Sequence, residues 1–246
     1  MTARQRLDLA LVERGLSPSR ARARDAILRG AVTVDGAAID KPAAMVSSES
    51  TISIFDPASG YVSRAALKLV HALDRFAIDP AGLDCLDIGA STGGFTQVLL
   101  ERGARHVTAI DVGHRQMAEP LRADPRVTLI EGLNARDLAS NDLPSPPAMI
   151  VCDVSFISLT LALPPALELA APGAVLVALI KPQFEAGREA LGKGGIVRDE
   201  AVQRAVCDRV CDWLATDCGW QVQGIADSPI EGGDGNREFL LAARKG

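Results

Sequence analysis

The stretch that most constrains the fold is CLDIGASTGGFT, residues 85–96. An apolar run there ends in Asp87 and breaks into a glycine-rich segment, and a second apolar run, VTAI, leads into Asp111, 24 residues after Asp87. This pattern predicts a strand, an open loop, a helix and a second strand that ends in a carboxylate. In a doubly wound sheet both strand ends lie at the carboxyl edge, where nucleotides bind.

The spacing of the glycines narrows the choice of ligand. Gly89, Gly93 and Gly94 form the pattern G-x-S-x-G-G, which departs from the dinucleotide fingerprint G-x-G-x-x-G. The loop therefore indicates an adenosine-bearing cofactor without specifically indicating a pyrophosphate.

The C-terminal part of the chain continues in strand-then-helix order. The apolar run in residues 149–156 reaches Asp153, and AVLVALI ends at Lys181, as expected of buried parallel strands with functional ends. WQVQGIADSPI and REFLLAAR predict a closing antiparallel pair, and residues 183–199 predict a mobile loop over the same sheet edge. We therefore expect an α/β fold with a mostly parallel sheet.

Composition favours a globular protein of the cell interior. The 246 residues can bury a sizeable core, and 48% of them are hydrophobic against 23% charged. The sequence has no run of eighteen uncharged apolar residues, and its first residues lack a signal-peptide core. Five cysteines, mostly within apolar patterns, fit a reducing compartment better than disulfides. These features predict a cytoplasmic protein with no membrane partner; no metal site is expected, and no feature indicates the oligomeric state.

The first fifty residues predict a compact unit of two short helices and a hairpin. Residues 6–14 have helical apolar spacing, and Ser17 is the predicted N-cap of a second helix that runs to Gly30. On that helix Ala23, Ala26 and Ile27 form a narrow apolar stripe, so the arginines on its two flanks are expected to point outward.

Positive charge is concentrated in this unit. Residues 1–30 carry a net charge of +4, which leaves −9 for the remainder of the chain. Such asymmetry predicts that one small region meets a polyanion. The candidate RNA-binding residues are Arg4, Arg6, Arg20, Arg22, Arg24 and Arg29. The competing interpretation is a solvated helix face. We expect this unit at residues 1–56, a linker at 57–62, and a second domain at 63–246.

The pattern RLDxxLVxRGLxxSRxxAxxxIxxGxVxVxG, within residues 4–54, resembles the S4 RNA-binding domain. In that domain the arginine-bearing second helix and the hairpin form one RNA-facing surface. The resemblance therefore implies a nucleic-acid partner for the N-terminal unit.

Two lysines stand out in a chain with 21 arginines and only five lysines. Lys181 follows a predicted strand. Lys68 lies on a predicted helix within residues 61–76, with Ser63 as its N-cap and an apolar stripe of Leu67, Val70, Leu73 and Phe76 from which Lys68 is expected to point away. Lysine can lose its proton in a protein, whereas arginine cannot. Lysines at a cofactor edge therefore suggest proton chemistry.

Lys68, Asp153, Lys181 and Glu238 match the K-D-K-E tetrad of the FtsJ-like ribose 2′-O-methyltransferases. The motifs SRAALKL, DVSFISL, IKPQFEAGRE, GKGGIVRD and SPIEGGDGNREFL extend the resemblance over nearly the whole chain, which is identified as a member of the TlyA family of ribosomal RNA cytidine-2′-O-methyltransferases. The resemblance implies a Rossmann-like class I methyltransferase domain with a mostly parallel seven-stranded sheet. It also implies S-adenosylmethionine as cofactor and ribosomal RNA or a ribosomal subunit as partner.

The resemblance also implies roles for individual residues. Lys181 would accept or orient the 2′-hydroxyl proton, while Asp153 and Glu238 orient the two amines. Lys68 and the cofactor sulfonium disfavour the ammonium form of Lys181, whereas the two acids favour it, so both protonation states stay open. Asp111 would bind the cofactor ribose, and Asn134 or Asp137 would lie near the adenine. The remaining candidate cofactor-binding residues are Asp87, Gly89, Ser91, Gly93, Gly94 and Phe95.

Each assignment has a structural alternative. Asp87 and Asp111 could cap loops, Lys181 could pair with Glu185, and Glu238 could be an exposed strand residue. Alternative functions are a membrane-acting haemolysin, an RNA-binding protein with an inert methyltransferase fold and, on the weakest grounds, a nicotinamide oxidoreductase. Aromatic residues make up only 4% of the chain, which argues against extended base stacking and favours a folded RNA, with one flipped nucleotide beside Phe156 or Phe184.

Overall fold

The structure, a computed structural model, describes residues 4–232 and 235–246. The chain divides into two compact units, Met1–Gly60 and Tyr61–Gly246. The division falls inside the segment 57–62, where proline and glycine interrupt the sequence pattern.

The N-terminal unit is a small α+β fold. Its elements are β1 (Arg4–Arg6), α1 (Leu7–Glu13), α2 (Arg20–Leu28), β2 (Val32–Val34), β3 (Ala37–Ala38), β4 (Met45–Ser47) and β5 (Ile52–Ile54). Strand β2 pairs antiparallel with β3 and β5, and β1 pairs antiparallel with β4. The two helices and the strands enclose a core that includes Leu7, Leu11, Ile27, Val32 and Val46.

Helix α2 begins two residues later than the sequence predicts. Ser19 has extended backbone angles and is the N-cap, its Oγ accepting a hydrogen bond from the Arg22 backbone N–H at 3.3 Å. The prediction of Ser17 as the cap is therefore wrong, and Pro18 lies outside the helix. The predicted stripe of Ala23, Ala26 and Ile27 is buried, which confirms the orientation of the helix.

The C-terminal unit is a three-layer α/β domain. In chain order it contains α3 (Ala66–Arg75), β6 (Asp84–Ile88), α4 (Gly94–Glu101), β7 (His106–Asp111), α5 (Glu119–Arg122), β8 (Val127–Glu131), β9 (Met149–Cys152), α6 (Leu159–Ala162), α7 (Pro164–Leu169), β10 (Val175–Ile180), α8 (Pro182–Glu185), α9 (Glu200–Thr216), β11 (Trp220–Asp227) and β12 (Phe239–Lys245). The strands form one sheet in the order β11-β12-β10-β9-β6-β7-β8. Five neighbouring strands, from β10 to β8, are parallel, and β12 is antiparallel to both of its neighbours.

Side-chain alternation along the central strands builds a core on each face of this sheet. On β6, Leu86 and Ile88 contribute to the face packed against α6, α7 and α9, whereas Cys85 contributes to the face packed against α3 and α4. The α/β prediction with a mostly parallel seven-stranded sheet is confirmed. Among the helices that the structure describes, none combines the length and apolarity needed to cross a membrane.

Helix α3 shows two departures from prediction. Its N-cap position is occupied by Ala65, although Ser63 Oγ accepts a hydrogen bond from the Ala65 N–H at 3.2 Å. Its buried side is formed by Ala66, Leu69, Ala72 and Leu73, and Lys68 is buried with them at 6% exposure. Of the predicted stripe Leu73 is buried, whereas the other three residues are half-buried. The prediction that Lys68 points away from the buried side is therefore wrong. Its ammonium group can be buried because Asp153 and Glu238 compensate its charge.

Candidate active site

The glycine-rich loop joins β6 to α4 at the carboxyl edge of the sheet. Gly89 has φ +81°, and a Cβ there would lie 2.7 Å from the backbone O of Asp153, so only glycine allows the loop to approach the end of β9 this closely. Gly93, with φ +95°, is the N-cap of α4. The loop backbone at Gly89 therefore packs directly against the end of β9, with no side chain between them.

Asp111, at the end of β7, braces this loop. Its Oδ2 accepts a hydrogen bond from the Ser91 N–H at 2.8 Å, and its Oδ1 accepts one from the Gly113 N–H at 2.7 Å. The structural alternative for Asp111, loop capping, is thus observed. Each oxygen retains a further lone pair for a ligand hydroxyl.

Asp87 lies inside the domain beneath the loop. It is fully buried; Oδ2 accepts a hydrogen bond from Thr96 Oγ1 at 2.6 Å, and Oδ1 has no hydrogen-bond partner among the described residues. Burial raises the pKa of Asp87 to about 7; the Thr96 hydrogen bond opposes this shift, and the charges of Asp153 and Asp111 add to it. Its position suits support of the loop more than direct contact with a ligand.

A cleft of about 860 Å³ opens beside the loop. Its lining includes Gly89, Ser91, Asp111, Gln116, Asn134, Arg136, Asp153, Ser155, Phe156 and Phe184. Asp137 is exposed and falls outside this lining as the described residues define it, so of the two predicted adenine-side residues Asn134 is the one at the cleft. A smaller pocket of about 180 Å³ shares Gly89, Ser91, Asp153 and Ser155 and adds Gly94, Phe95 and Lys181.

The four tetrad residues meet next to the smaller pocket. Asp153 stands between the two lysines, with Oδ1 at 2.5 Å from Lys181 Nζ and Oδ2 at 3.7 Å from Lys68 Nζ. Lys68 Nζ also donates to Glu238 Oε2 at 2.5 Å. The 2.5 Å contact of Lys181 is an ion pair without hydrogen-bond alignment, and Lys181 donates to Ser155 Oγ at 3.1 Å.

The pocket lining separates the tetrad into an outer and an inner pair. Lys181 and Asp153 belong to the lining of the smaller pocket, whereas Lys68 and Glu238 are outside it as the described residues define it. Glu238 is 4% exposed, which excludes the alternative of an exposed strand residue. A reacting group in the pocket would therefore meet Lys181 and Asp153, and the inner pair would hold them in place.

Near the tetrad, Ser155 was missed by the sequence argument, and Glu185 has partners other than the one considered there. Ser155, two positions after Asp153, is the hydrogen-bond acceptor for Lys181, and its place in the DVSF run was the available signal. Glu185 accepts hydrogen bonds from Ser158 Oγ at 2.6 Å and from the Leu159 N–H at 2.7 Å, which joins the segments that follow β10 and β9. The alternative pairing of Glu185 with Lys181 is not observed, because Lys181 pairs with Asp153.

Two aromatic rings stand at the rim of the cleft. Phe156 is 90% exposed and has a left-handed backbone at φ +65°, and its ring centroid lies 5.0 Å from that of Phe184. The segment predicted as a mobile loop begins with α8, and further along the Val197 N–H donates to the buried side chain of Asn236. Within the described ranges, no group of three or more His, Cys, Asp or Glu residues is placed to hold a metal ion.

The candidate RNA-binding arginines fall into two groups. Arg6, Arg20 and Arg24 converge on Asp8, a fully buried acid of α1, and Arg4 is exposed nearby in sequence on β1. Arg29 pairs with Asp25 and, at 2.7 Å, with Asp56, and only 13% of its side chain is exposed. Arg22 donates to the backbone O of Ala58 at 3.1 Å.

The parallel sheet and the tetrad define the C-terminal unit as an FtsJ-like methyltransferase domain. The small α+β fold with its arginine-bearing second helix defines the N-terminal unit as an S4 domain. The family models agree, since the FtsJ-like methyltransferase model matches residues 61–245 and the S4 model matches residues 5–52.

Individual relatives narrow the assignment. The chain is 45% identical to the 16S/23S rRNA (cytidine-2′-O)-methyltransferase TlyA of Mycobacterium tuberculosis, over 99% of this chain and 91% of the relative. It is 42% identical to Hemolysin A of Brachyspira hyodysenteriae, over 96% of this chain and 98% of the relative. A solved structure of a candidate hemolysin from Streptococcus thermophilus superposes with a TM-score of 0.77 at 40% identity and covers 100% of this chain and 90% of that one. The chain belongs to the TlyA family of S4-containing FtsJ-like methyltransferases.

Proposed function

We propose that the protein transfers a methyl group from S-adenosylmethionine to a ribose 2′-hydroxyl of ribosomal RNA, with cytidine as the modified nucleoside. The observation that carries this proposal is the buried cluster of Lys68, Asp153, Lys181 and Glu238 beside the glycine-rich loop. The choice of ribosomal RNA and cytidine is supported by the activity named for the Mycobacterium tuberculosis relative.

The residues around the loop fit S-adenosylmethionine. Gly89 and Ser91 of the loop line a cleft of about 860 Å³, which has the size of a cofactor site. We assign Asp111 to the ribose hydroxyls, Asn134 to the adenine side, and Asp87 to supporting the loop from inside. The residues assigned to the methionine end are Gly89, Ser91, Gly93, Gly94 and Phe95. When bound, this cofactor supplies a sulfonium-borne methyl group that an oxygen nucleophile displaces in line.

Lys181 is the residue we assign to the nucleophile. A ribose hydroxyl is a weak nucleophile, so it must be held close and relieved of its proton as it attacks. Lys181 Nζ accepts or orients that proton, and Asp153 and Ser155 hold this amine at 2.5 Å and 3.1 Å. Lys68 pairs with Asp153 from the inner side and Glu238 holds Lys68, so both are positioning residues.

The S4 unit supplies the RNA-binding surface in this proposal. We assign phosphate contact to Arg4, Arg6, Arg20 and Arg24, whose guanidinium groups reach solvent. Arg22 and Arg29 are assigned to bracing the unit, because their side chains bond to neighbours within it. Phe156 and Phe184 at the cleft rim are assigned to stacking on the flipped nucleotide.

Transfer of a tritiated methyl group to purified ribosomal RNA tests the reaction. Lys181→Ala should lower kcat by ~100-fold or more, because a positioned general base contributes about 10²–10⁴. Lys181→Arg keeps the positive charge but cannot accept a proton, so comparable loss in that variant would assign proton acceptance to Lys181.

Lys41→Ala is the matched control, since it removes an exposed lysine outside the tetrad and should leave kcat unchanged. Absence of transfer by the wild-type protein, or an unaffected Lys181→Ala variant, would overturn the proposal. RNA binding without any methyl transfer would favour an inert methyltransferase fold.

A further inference from the structure

Asp8 is a fully buried acid beneath the cationic surface of the S4 unit. Arg6, from β1, donates through Nε and Nη2 to the two carboxylate oxygens, both at 2.9 Å. Arg20, from α2, donates through Nε to Oδ2 at 3.0 Å, and Arg24 Nη1 lies 4.0 Å from the same oxygen. One carboxylate thus joins three arginines from two separate elements. We call these four residues the Asp8 cluster.

An acid at this position needs an explanation, because a carboxylate repels the phosphates that the surface would bind. It is ionised at neutral pH, since the hydrogen bond from Arg6 is the main cause that holds the pKa of Asp8 at about 2. The acid therefore lowers the net charge of the surface by one unit. A compensating benefit must come from what it does to the arginines.

The geometry supplies that benefit. The side chains of Arg6, Arg20 and Arg24 are 36%, 52% and 51% exposed, whereas Asp8 is not exposed at all. Each guanidinium has five N–H donors, and the bonds to Asp8 use two from Arg6 and one from Arg20. These bonds leave further N–H donors on side chains that are partly exposed. An arginine side chain has many rotamers, so a side chain that is already held loses less conformational entropy on binding a phosphate.

We propose that Asp8 is a positioning residue for RNA binding, which holds Arg6, Arg20 and Arg24 as a preorganised phosphate-binding cluster with a net charge of +2. This inference rests on the proposed function, because it assumes that the S4 unit meets RNA. It makes an unusual demand on the chemistry: removal of a negative charge from this surface should weaken the binding of a polyanion.

The test compares two charge-matched variants of the full chain. Asp8→Asn and Asp40→Asn each remove one negative charge from the S4 unit, and Asp40 is exposed. Using ribosomal RNA that the wild-type protein methylates, we expect Asp8→Asn to raise KM and the RNA dissociation constant about 5- to 10-fold, with kcat at saturating RNA unchanged. Asp40→Asn should bind as tightly as wild type or more tightly. A purely structural defect would lower the melting temperature and the active fraction without this separation of KM from kcat.

A double-mutant cycle keeps the inference falsifiable. In an Arg6→Ala/Arg20→Ala background, Asp8→Asn has few arginines left to release, so its cost to RNA affinity should disappear. If Asp8→Asn fails to fold, Asp8→Glu serves instead, because it keeps the charge but displaces the arginines by one methylene and should weaken binding. Unchanged or tighter RNA binding by Asp8→Asn, or by Asp8→Glu where it is the variant used, would overturn the inference. A wild-type protein that binds RNA but transfers no methyl group would instead overturn the proposed reaction and leave the role of Asp8 intact.

Discussion

The two units of this protein use the same arrangement, an acid between cations, in opposite surroundings. In the C-terminal unit Asp153 stands between Lys68 and Lys181, whose side chains are each 8% exposed. In the N-terminal unit Asp8 stands beneath arginines whose side chains are 36–52% exposed. The acid is the sheltered partner in the second case, whereas both partners are sheltered in the first.

The difference shows how burial and residue type divide the work. Charges that are removed from water interact strongly and must be compensated closely, which holds the lysines in one geometry. Lysine can also give up a proton, so this cluster suits proton chemistry. Arginine stays charged and presents several donors, so the exposed cluster suits phosphate binding. Proton transfer and RNA docking are thereby assigned to separate units of the chain.

The largest expected effect comes from breaking the sheltered cluster. Asp153→Asn removes the charge between the two lysines and leaves Lys181 without its acidic partner. We expect kcat to fall by about 10³-fold, because the amine loses its orientation. Methyl transfer at saturating RNA measures this, and filter binding should show unchanged RNA affinity. A kcat within threefold of wild type would remove Asp153 from the mechanism.

Asp87 is a buried acid for which the described residues supply a hydroxyl partner and two neighbouring acids instead of a cation. Asp87 has a pKa of about 7, against about 3.9 for an unfolded aspartate, so between these values the folded state binds the extra proton. The contribution of this proton to the free energy of unfolding is complete below pH 4 and is lost as the pH rises through 7. The total loss is up to about 4 kcal/mol. Asp87→Asn should remove this loss.

Urea denaturation at pH 5 and pH 8 measures the effect as the difference between wild type and Asp87→Asn. The free energy of unfolding of the variant should rise relative to that of the wild type as the pH rises from 5 to 8. A constant difference between the two proteins would show that Asp87 does not change protonation on folding.

Salt concentration should affect RNA binding by the arginine cluster but not catalysis by the lysine cluster, and this is the smallest of the expected effects. Phosphate contact by the three arginines of the Asp8 cluster by itself predicts that RNA affinity falls about 20- to 40-fold when salt rises fourfold, whereas kcat at saturating RNA should hardly change. Replacing Arg20 and Arg24 by alanine should flatten the slope of affinity against salt. Affinity that does not depend on salt would contradict phosphate binding by the S4 unit.

Prediction from the sequence succeeded where one local pattern carries the information. Buried parallel strands such as β6, β9 and β10 are continuous apolar runs, and the glycine-rich loop needs particular residues at particular positions. Strands β1 and β4 have three residues each, too few for a periodic signal, and β8 has no fully buried residue. The burial of Lys68 on α3 was not predicted, because hydrophobicity alone does not place a lysine in the interior.

By itself the sequence determined the fold class and the residue types available for chemistry, since these follow from periodicity and motif spacing. Its motifs also carried the resemblance to the family. It named the tetrad but not the distribution of its contacts, with Lys181 and Asp153 at the pocket and Lys68 and Glu238 within. In the sequence Asp8 entered only the net charge of residues 1–30, and its contacts with three arginines were not predicted. Tertiary structure alone decided these matters, because an ion pair such as Lys68–Glu238 joins residues 170 positions apart, and burial at such a pair depends on how strands and helices pack around it.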